Sequence, residues 1–388
     1  MESYHIRYCK RCVMPETKPD LHIDEEGVCN ACRSYEQRKA VDWVQRKQEL
    51  LDILDRYRSK SSSNYDCIVP VSGGKDSHFQ VVRMLELGMN PLCVTASTDH
   101  LSDIGRRNIE NLKRQGVDYI EVTPNPVVRH RINRLALQQV GDISWPEHVA
   151  IFTIPVRVAV QCNIPLIIWG ENSQHEYGGP ASAAQNNVLT RRWLEEFGGL
   201  LGLRVSDLMG QEEIEARHLI QYTYPSDEDL QRVGLTGLFL GYYLPWDGYS
   251  NALIAQAHGF ETYHKPVEGS LVNYENIDNA QTGIHDYFKF LKYGFGRATD
   301  LACMHIRRGR LSREDAIKLV KMHDGKFPWE YLGVRIETIL DSVELSLEEY
   351  IRICDRFTNK KLFVCDSRSH LVKDRFGNLT RLNDDNID

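Results

Sequence analysis

The segment CIVPVSGGKDSHFQVVRML, residues 67–85, restricts the fold more than any other stretch. An apolar run over residues 67–71 ends in the loop 72–77, and an amphipathic segment follows at helical spacing. The run reads as a buried strand, and the paired glycines let the backbone turn sharply with its amides facing inward. A helix that begins at such a turn presents unpaired N–H groups and the positive end of its dipole, which together bind anions. Lys75 adds a mobile cation, and Ser72 and Ser77 add hydroxyl donors. Asp76 would repel a bare phosphate, but it fits if Mg2+ bridges its carboxylate to a polyphosphate. The loop therefore predicts a cradle for magnesium pyrophosphate.

From residue 65 onward, short apolar runs alternate with helical ones. DCIVPV, PLCVTAS, DYIEVTP and IPLIIWGEN read as strands, with helices expected near 77–87, 102–115, 127–140 and 147–161. This alternation predicts an α/β fold, a doubly wound parallel sheet. Ligands of such sheets sit at the carboxyl ends of the strands. Three polar strand ends qualify, at 72–77, 95–99 and 170–172, and they make Thr95, Ser97, Gly170 and Glu171 candidate nucleotide-binding residues alongside Ser72, Gly73, Gly74, Lys75, Asp76 and Ser77. Glu171 is also a candidate second carboxylate for the magnesium on Asp76, although a capping or surface acid fits it equally well.

Beyond residue 226 the periodicity turns mainly helical, with helix starts at Ser312 and Ser346, each followed three residues on by an acid. The expected organisation is a four-cysteine element over 1–40, a helix and linker over 41–64, the sheet domain over 65–225 and a mainly helical region over 226–388.

Four of the ten cysteines lie early in the chain, as Cys9-x-x-Cys12 and Cys29-x-x-Cys32. Two such turns can close a tetrahedron around zinc, and four thiolates leave no position for substrate, so the expected metal is structural. An iron–sulfur cluster uses the same ligands. Zinc binding contributes roughly 10–16 kcal/mol in finger peptides, enough to order a segment with almost no core.

The chain carries 47 basic and 54 acidic residues, a formal charge of -7, which gives no electrostatic reason to expect nucleic acid or anionic membrane as a partner. The start MESYHIRYCK lacks the apolar core of a signal peptide, and GLTGLFLGYYLPW is too short and glycine-rich to span a bilayer. The expected location is the cytoplasm, where the cysteines stay reduced or bind metal.

The loop is no Walker A motif, since G-x-x-x-x-G-K-[ST] is absent. SGGKDS instead resembles the SGGxDS signature of the PP-loop ATP pyrophosphatases, over residues 65–169. The resemblance implies cleavage of ATP between the α and β phosphates, transfer of AMP to a substrate oxygen, and displacement of AMP by a nucleophile. The cysteine pairs, SGGKDS, WGENSQHEYGG (169–179) and KYGFGRATD (292–300) occur in one order, and together they resemble the N-acetyl sugar amidotransferases of bacterial surface-polysaccharide (O-antigen) pathways. What that resemblance implies is an ATP-dependent enzyme that turns an acetamido group of a sugar, nucleotide-linked in expectation, into an acetamidino group.

An amide carbon is a poor electrophile because nitrogen donates into its carbonyl. Adenylylation of the oxygen gives an imidate with AMP as leaving group, which ammonia can attack. The chain starts Met1-Glu2 and so lacks the N-terminal cysteine of one glutaminase class, and no Cys–His–Glu unit is evident. The resemblance implies a separate glutaminase with a barrel subunit like those of histidine biosynthesis. Within HDYFKFLKYGFGRATD, Lys292 and Arg297 are candidate catalytic cations for pyrophosphate or a sugar diphosphate, with Lys289 beside them; solvated cations on a packed helix are the plainer alternative. His175, Glu176 and Tyr177 are candidate sugar contacts, or a tight turn. Asp247 and His264 are weaker candidates. Two rival functions are tRNA thiolation, which needs a reactive thiol near the nucleotide, and a non-catalytic zinc-ribbon interaction protein.

Overall fold

A computed structural model of the chain describes residues 6–59, 63–171 and 200–382. Two helices come first, α1 (Asn30–Arg38) and α2 (Trp43–Tyr57). The chain breaks between them at Asp42, whose carboxylate accepts from the amides of Val44 and Gln45 at 3.0 Å each and starts α2 anew, inside the stretch 41–64 read as helix and linker. Leu50 and Leu54 of α2 are fully buried, so this helix belongs to the packing of the sheet.

The α/β unit follows as β1 (Cys67–Pro70), α3 (Lys75–Glu86), β2 (Pro91–Ala96), α4 (Asp103–Lys113), β3 (Asp118–Val122), α5 (Pro126–Val140), α6 (Trp145–Cys162), β4 (Leu166–Trp169) and β5 (Thr236–Phe239). The five strands form one parallel sheet in the order β3-β2-β1-β4-β5. Alternation along β1 explains the two layers. Ile68 packs with Ile132, Trp145 and Ile154 of α5 and α6, while Cys67 and Val69 pack with Leu54 of α2 and with Phe79 and Met84 of α3. Strands covered on both faces need the unbroken apolar runs seen in the sequence. β5 lies past residue 225, inside the stretch read as mainly helical, because GLTGLF is short and carries glycines that hide its strand character.

The C-terminal region is a helical layer built on Thr282–Tyr293, Arg297–Arg307, Arg313–His323, Ile336–Ser342 and Leu347–Phe357. Ser312 and Ser346 do cap their helices, accepting from the amides of Asp315 at 3.1 Å and Glu349 at 3.2 Å. Paired bridges Phe363–Arg381, Cys365–Leu371 and Lys373–Leu379 give the end of the chain its hairpin-like form. The four-cysteine element packs onto this layer: its cysteines share a core with Phe295, Ala302, Ile317 and Val320, and Thr17 Oγ1 donates to the carbonyl of Tyr293 at 2.5 Å. Among the described residues no helix is long and apolar enough to cross a membrane.

Candidate active site

The strand order reverses direction between β1 and β4, and the loop 72–77 leaves β1 at that point. Open parallel sheets bind ligands at such a switch. Gly73 holds φ +85°, and a Cβ there would meet Ile109 Cγ1 at 2.8 Å, so the turn requires glycine for both conformation and space. The Ser72 amide donates to Ser77 Oγ at 2.9 Å, and the Gly74 amide to Ser72 Oγ at 3.3 Å, which ties the loop into a closed ring ahead of α3.

Lys75 opens α3 and is 8% exposed. Its Nζ lies 2.7 Å from Asp76 Oδ2 and 3.1 Å from Glu275 Oε1. Burial alone would favour the neutral amine, but Asp76, Glu275 and Glu171 outweigh it and hold the proton on well above the ordinary lysine range. Asn251, on the helix Gly248–Ala257 that lies along α3, donates to Asp76 Oδ1 at 2.8 Å. Glycine at 248 lets that helix come close: a Cβ there would meet Glu275 Oε1 at 2.9 Å and Lys75 Cε at 3.2 Å.

A segment from the C-terminal half closes over the loop. Tyr274, Glu275, Asn276, Ile277 and Asp278 face residues 72–77 across a cavity of about 140 Å³. Asp278 interacts with Ser72, and burial raises its carboxyl above the usual range against the pull of that hydroxyl and of Lys75. Glu275, Asp278 and Asn251 did not stand out in the sequence. For Glu275 and Asp278 the signal was the run of acids and amides in NYENIDNA, which has no spacing that ties it to a distant loop.

Of the residues singled out from sequence, Ser72, Gly74, Lys75, Asp76 and Ser77 line this cavity. Glu171 stands beside it at the end of β4, with Oε2 accepting from Trp246 Nε1 at 3.1 Å. Gly170 packs against the Trp246 ring, where a Cβ would lie 3.1 Å from it. Oxygen donors from Asp76, Glu171 and Glu275 are the donor chemistry of Mg2+. Thr95 turns inward and donates to the Val71 carbonyl at 2.5 Å, fixing the loop's root, while Ser97 Oγ donates to Thr123 Oγ1 at 2.9 Å.

Lys292 is engaged elsewhere. Its ammonium donates to the carbonyls of Val140 and Gly141 at 2.7 and 2.9 Å, closing the C-terminal end of α5. Arg297 pairs with Asp286 through Nη2 at 3.0 Å and lines a separate cavity of about 500 Å³ with Tyr287, Lys326, Trp329 and Tyr331. Asn276 joins the two cavities. It faces the loop, its carbonyl accepts from the Tyr331 hydroxyl at 3.0 Å, and with its amide oxygen turned toward Arg297 it accepts from Nε and Nη2 at 3.1 Å each. Asp247 pairs with Arg308 and Arg310. His175, Glu176 and Tyr177 lie outside the described residues.

The four early cysteines converge. Cys9 Sγ and Cys32 Sγ are 4.0 Å apart, Cys12 Sγ and Cys29 Sγ 3.7 Å, and all four are buried. A tetrahedral zinc with its usual bond length sets thiolates about 3.8 Å apart, so the group is placed to hold such an ion. Amides of Cys12 and Cys29 donate to Cys9 Sγ at 3.5 and 3.3 Å, which suits a thiolate. By contrast Cys67 and Cys93 sit in the strand core, where burial raises both thiols, that of Cys93 to about 12.

Residues 260–375 match the family described as LPS biosynthesis protein WbpG-like, C-terminal domain. The WbpG-like region thus supplies Glu275, Asn276 and Asp278 to the loop cavity, and Asp286, Arg297 and Tyr331 to the larger one. No curated protein matches the chain. Among solved structures, the NMN synthetase from Francisella tularensis aligns at 12% identity over 50% of this chain and 92% of that one, with a TM-score of 0.27, too low for the likeness to bear on the fold.

Proposed function

We propose that the chain is a cytoplasmic ATP-dependent amidotransferase of lipopolysaccharide biosynthesis, which converts the acetamido group of a nucleotide-linked sugar to an acetamidino group. The observation that carries the reading is the loop 72–77 at the switch point of the sheet, closed by acids from the WbpG-like region. A loop that only bound a nucleotide would not need a buried lysine held between two carboxylates.

The chemistry follows from the groups present. The acetamido oxygen attacks the α-phosphorus of ATP, the bond to the β-phosphate oxygen breaks, and pyrophosphate leaves. Lys75 and the amides at the head of α3 face the negative charge that develops on the leaving group, as fixed donors in the loop cavity. A magnesium ion held by Asp76, with Glu171 or Glu275, would supply further charge neutralisation there. Ammonia then adds to the imidate carbon, AMP leaves with the former amide oxygen, and a proton is lost as the amidine forms. The cavity of about 500 Å³ has the size of a small-ligand site and joins the loop through Asn276, so it is the place assigned to the sugar. Ammonia comes from a partner glutaminase with a barrel subunit, and the four cysteines hold a structural zinc. Burial of Cys67 and Cys93 counts against tRNA thiolation.

The test is pyrophosphate release from ATP with ammonium and a panel of nucleotide-linked and free acetamido sugars. Release that depends on one of them, and is lost in Asp76→Asn, supports the reading; no release with any of them contradicts it. Glutamine used by the purified chain as well as ammonium would contradict the partner.

A further inference from the structure

Away from the loop, three elements bring a carboxylate and two imidazoles together. Asp142 lies between α5 and α6, His148 in the first turn of α6, and His285 in the first turn of Thr282–Tyr293. His285 Nδ1 is 2.8 Å from Asp142 Oδ1, and His148 Nδ1 is 3.3 Å from Asp142 Oδ2. The two rings meet edge to face with centroids 4.9 Å apart. One ligand atom from each residue falls within 4.8 Å of the others. The Asp142 side chain is 4% exposed, whereas the imidazoles are 28% and 29% exposed.

An ion-paired triad is the plain alternative, and two features argue against it. Both imidazoles turn the same nitrogen, Nδ1, toward one carboxylate, although a single imidazolium would balance its charge and a second would repel the first. His148 Nδ1 is also buried without a hydrogen-bond partner, since its approach to Asp142 lacks hydrogen-bond geometry. A buried orphan nitrogen is costly, and an ion bound between the three groups would satisfy it.

We propose that Asp142, His148 and His285 form a second metal site, separate from the four cysteines, for a divalent transition metal such as zinc. Two imidazoles and one carboxylate are ligands of that class of ion, and three protein ligands leave coordination open on the side where the rings are exposed. The surroundings hold the ligands in place. Asp142 Oδ1 accepts from the Ser144 amide at 2.9 Å, Asn133 donates to the Ile143 carbonyl at 2.6 Å, and Gln281 donates to the same carbonyl at 3.1 Å and to Ser144 Oγ at 3.2 Å. His285 follows Asp278, which reaches Ser72, and precedes Asp286, which pairs with Arg297. An ion on His285 therefore pins the segment that borders both cavities.

The experiment counts metal on the full-length chain after loading with zinc and dialysis against metal-free buffer, by inductively coupled plasma mass spectrometry. Wild type should carry one equivalent more than His285→Ala and one more than Asp142→Asn, with the circular dichroism of both variants unchanged. Cobalt substitution gives the second readout: wild type should show visible bands from nitrogen and oxygen ligation that His285→Ala lacks, while the thiolate bands stay. Equal metal in wild type and both variants overturns the site. Should a variant fail to fold, a wild-type cobalt spectrum with thiolate ligation alone overturns it.

Discussion

Cys9, Cys12, Cys29 and Cys32 come from residues 9–32, whereas the groups around Lys75 come from positions as distant as Ser72, Asn251 and Asp278. The first site is local and closed. Its four thiols are fixed by two short spacings, and together they would fill every coordination position of a tetrahedral ion. The second is assembled by packing, with a sheet presenting the loop, the helix Gly248–Ala257 holding Asp76, and the WbpG-like region capping it with acids. The cysteine group can be written in a few neighbouring residues, but the loop site needs groups brought from several directions.

The comparison breaks most visibly at the cysteines. Cys12→Ser should remove one metal equivalent and, with it, on the order of 10 kcal/mol of metal-coupled order. Limited proteolysis should then cut within residues 6–40 while the sheet stays resistant. If cutting is unchanged, the element does not depend on metal.

Asp76→Asn should act on the other site alone, with pyrophosphate release down roughly 10²–10³-fold, the scale for losing one element of charge stabilisation, here the magnesium that Asp76 would hold. Zinc content should stay as in wild type, and a loss of zinc would show that Asp76 serves the fold as a whole.

Gly248→Ala sharpens the claim that packing builds the loop site. The added methyl meets Glu275 and Lys75, so a loss of about 1–3 kcal/mol is expected in urea unfolding, together with weaker ATP binding. Unchanged stability and affinity would mean that the helix and the loop are not in close contact.

The smallest effect concerns Asp247, beside this helix. Burial raises its carboxyl, but Arg310 and Arg308 more than offset this and bring it to about 2, below its ordinary 3.8. A depressed carboxyl stabilises the fold above the unfolded value, and the contribution is lost as pH falls from 3.8 through about 2. Asp247→Asn should therefore cost at most about 2 kcal/mol at neutral pH, with the gap to wild type closing in acid. A gap independent of pH would assign the loss to packing.

Local features were readable in advance. The strand, the glycine turn and the Lys75–Asp76 pair are encoded side by side, as are the cysteine spacings and the serine caps at 312 and 346. Features set by long-range contact were not. Glu275 and Asp278 reach the loop only because the chain returns across it, and β5 becomes a strand by pairing with β4. Lys292 and Arg297 are legible as cations but not as to place. Their basic, aromatic setting suggests chemistry, and the fold sets one against the carbonyls at the end of α5 and the other beside Asp286 in the lining of the larger cavity. Charge in a sequence marks a candidate, and only the partner found in the fold decides how that charge is used.

The claim most open to direct test is that the amide oxygen receives AMP. With a sugar whose acetamido carbonyl carries heavy oxygen, turnover with ATP and ammonium should place the label in the phosphate of AMP, as mass spectrometry would read. Label retained in the sugar product, or released to water with none in AMP, would contradict the account.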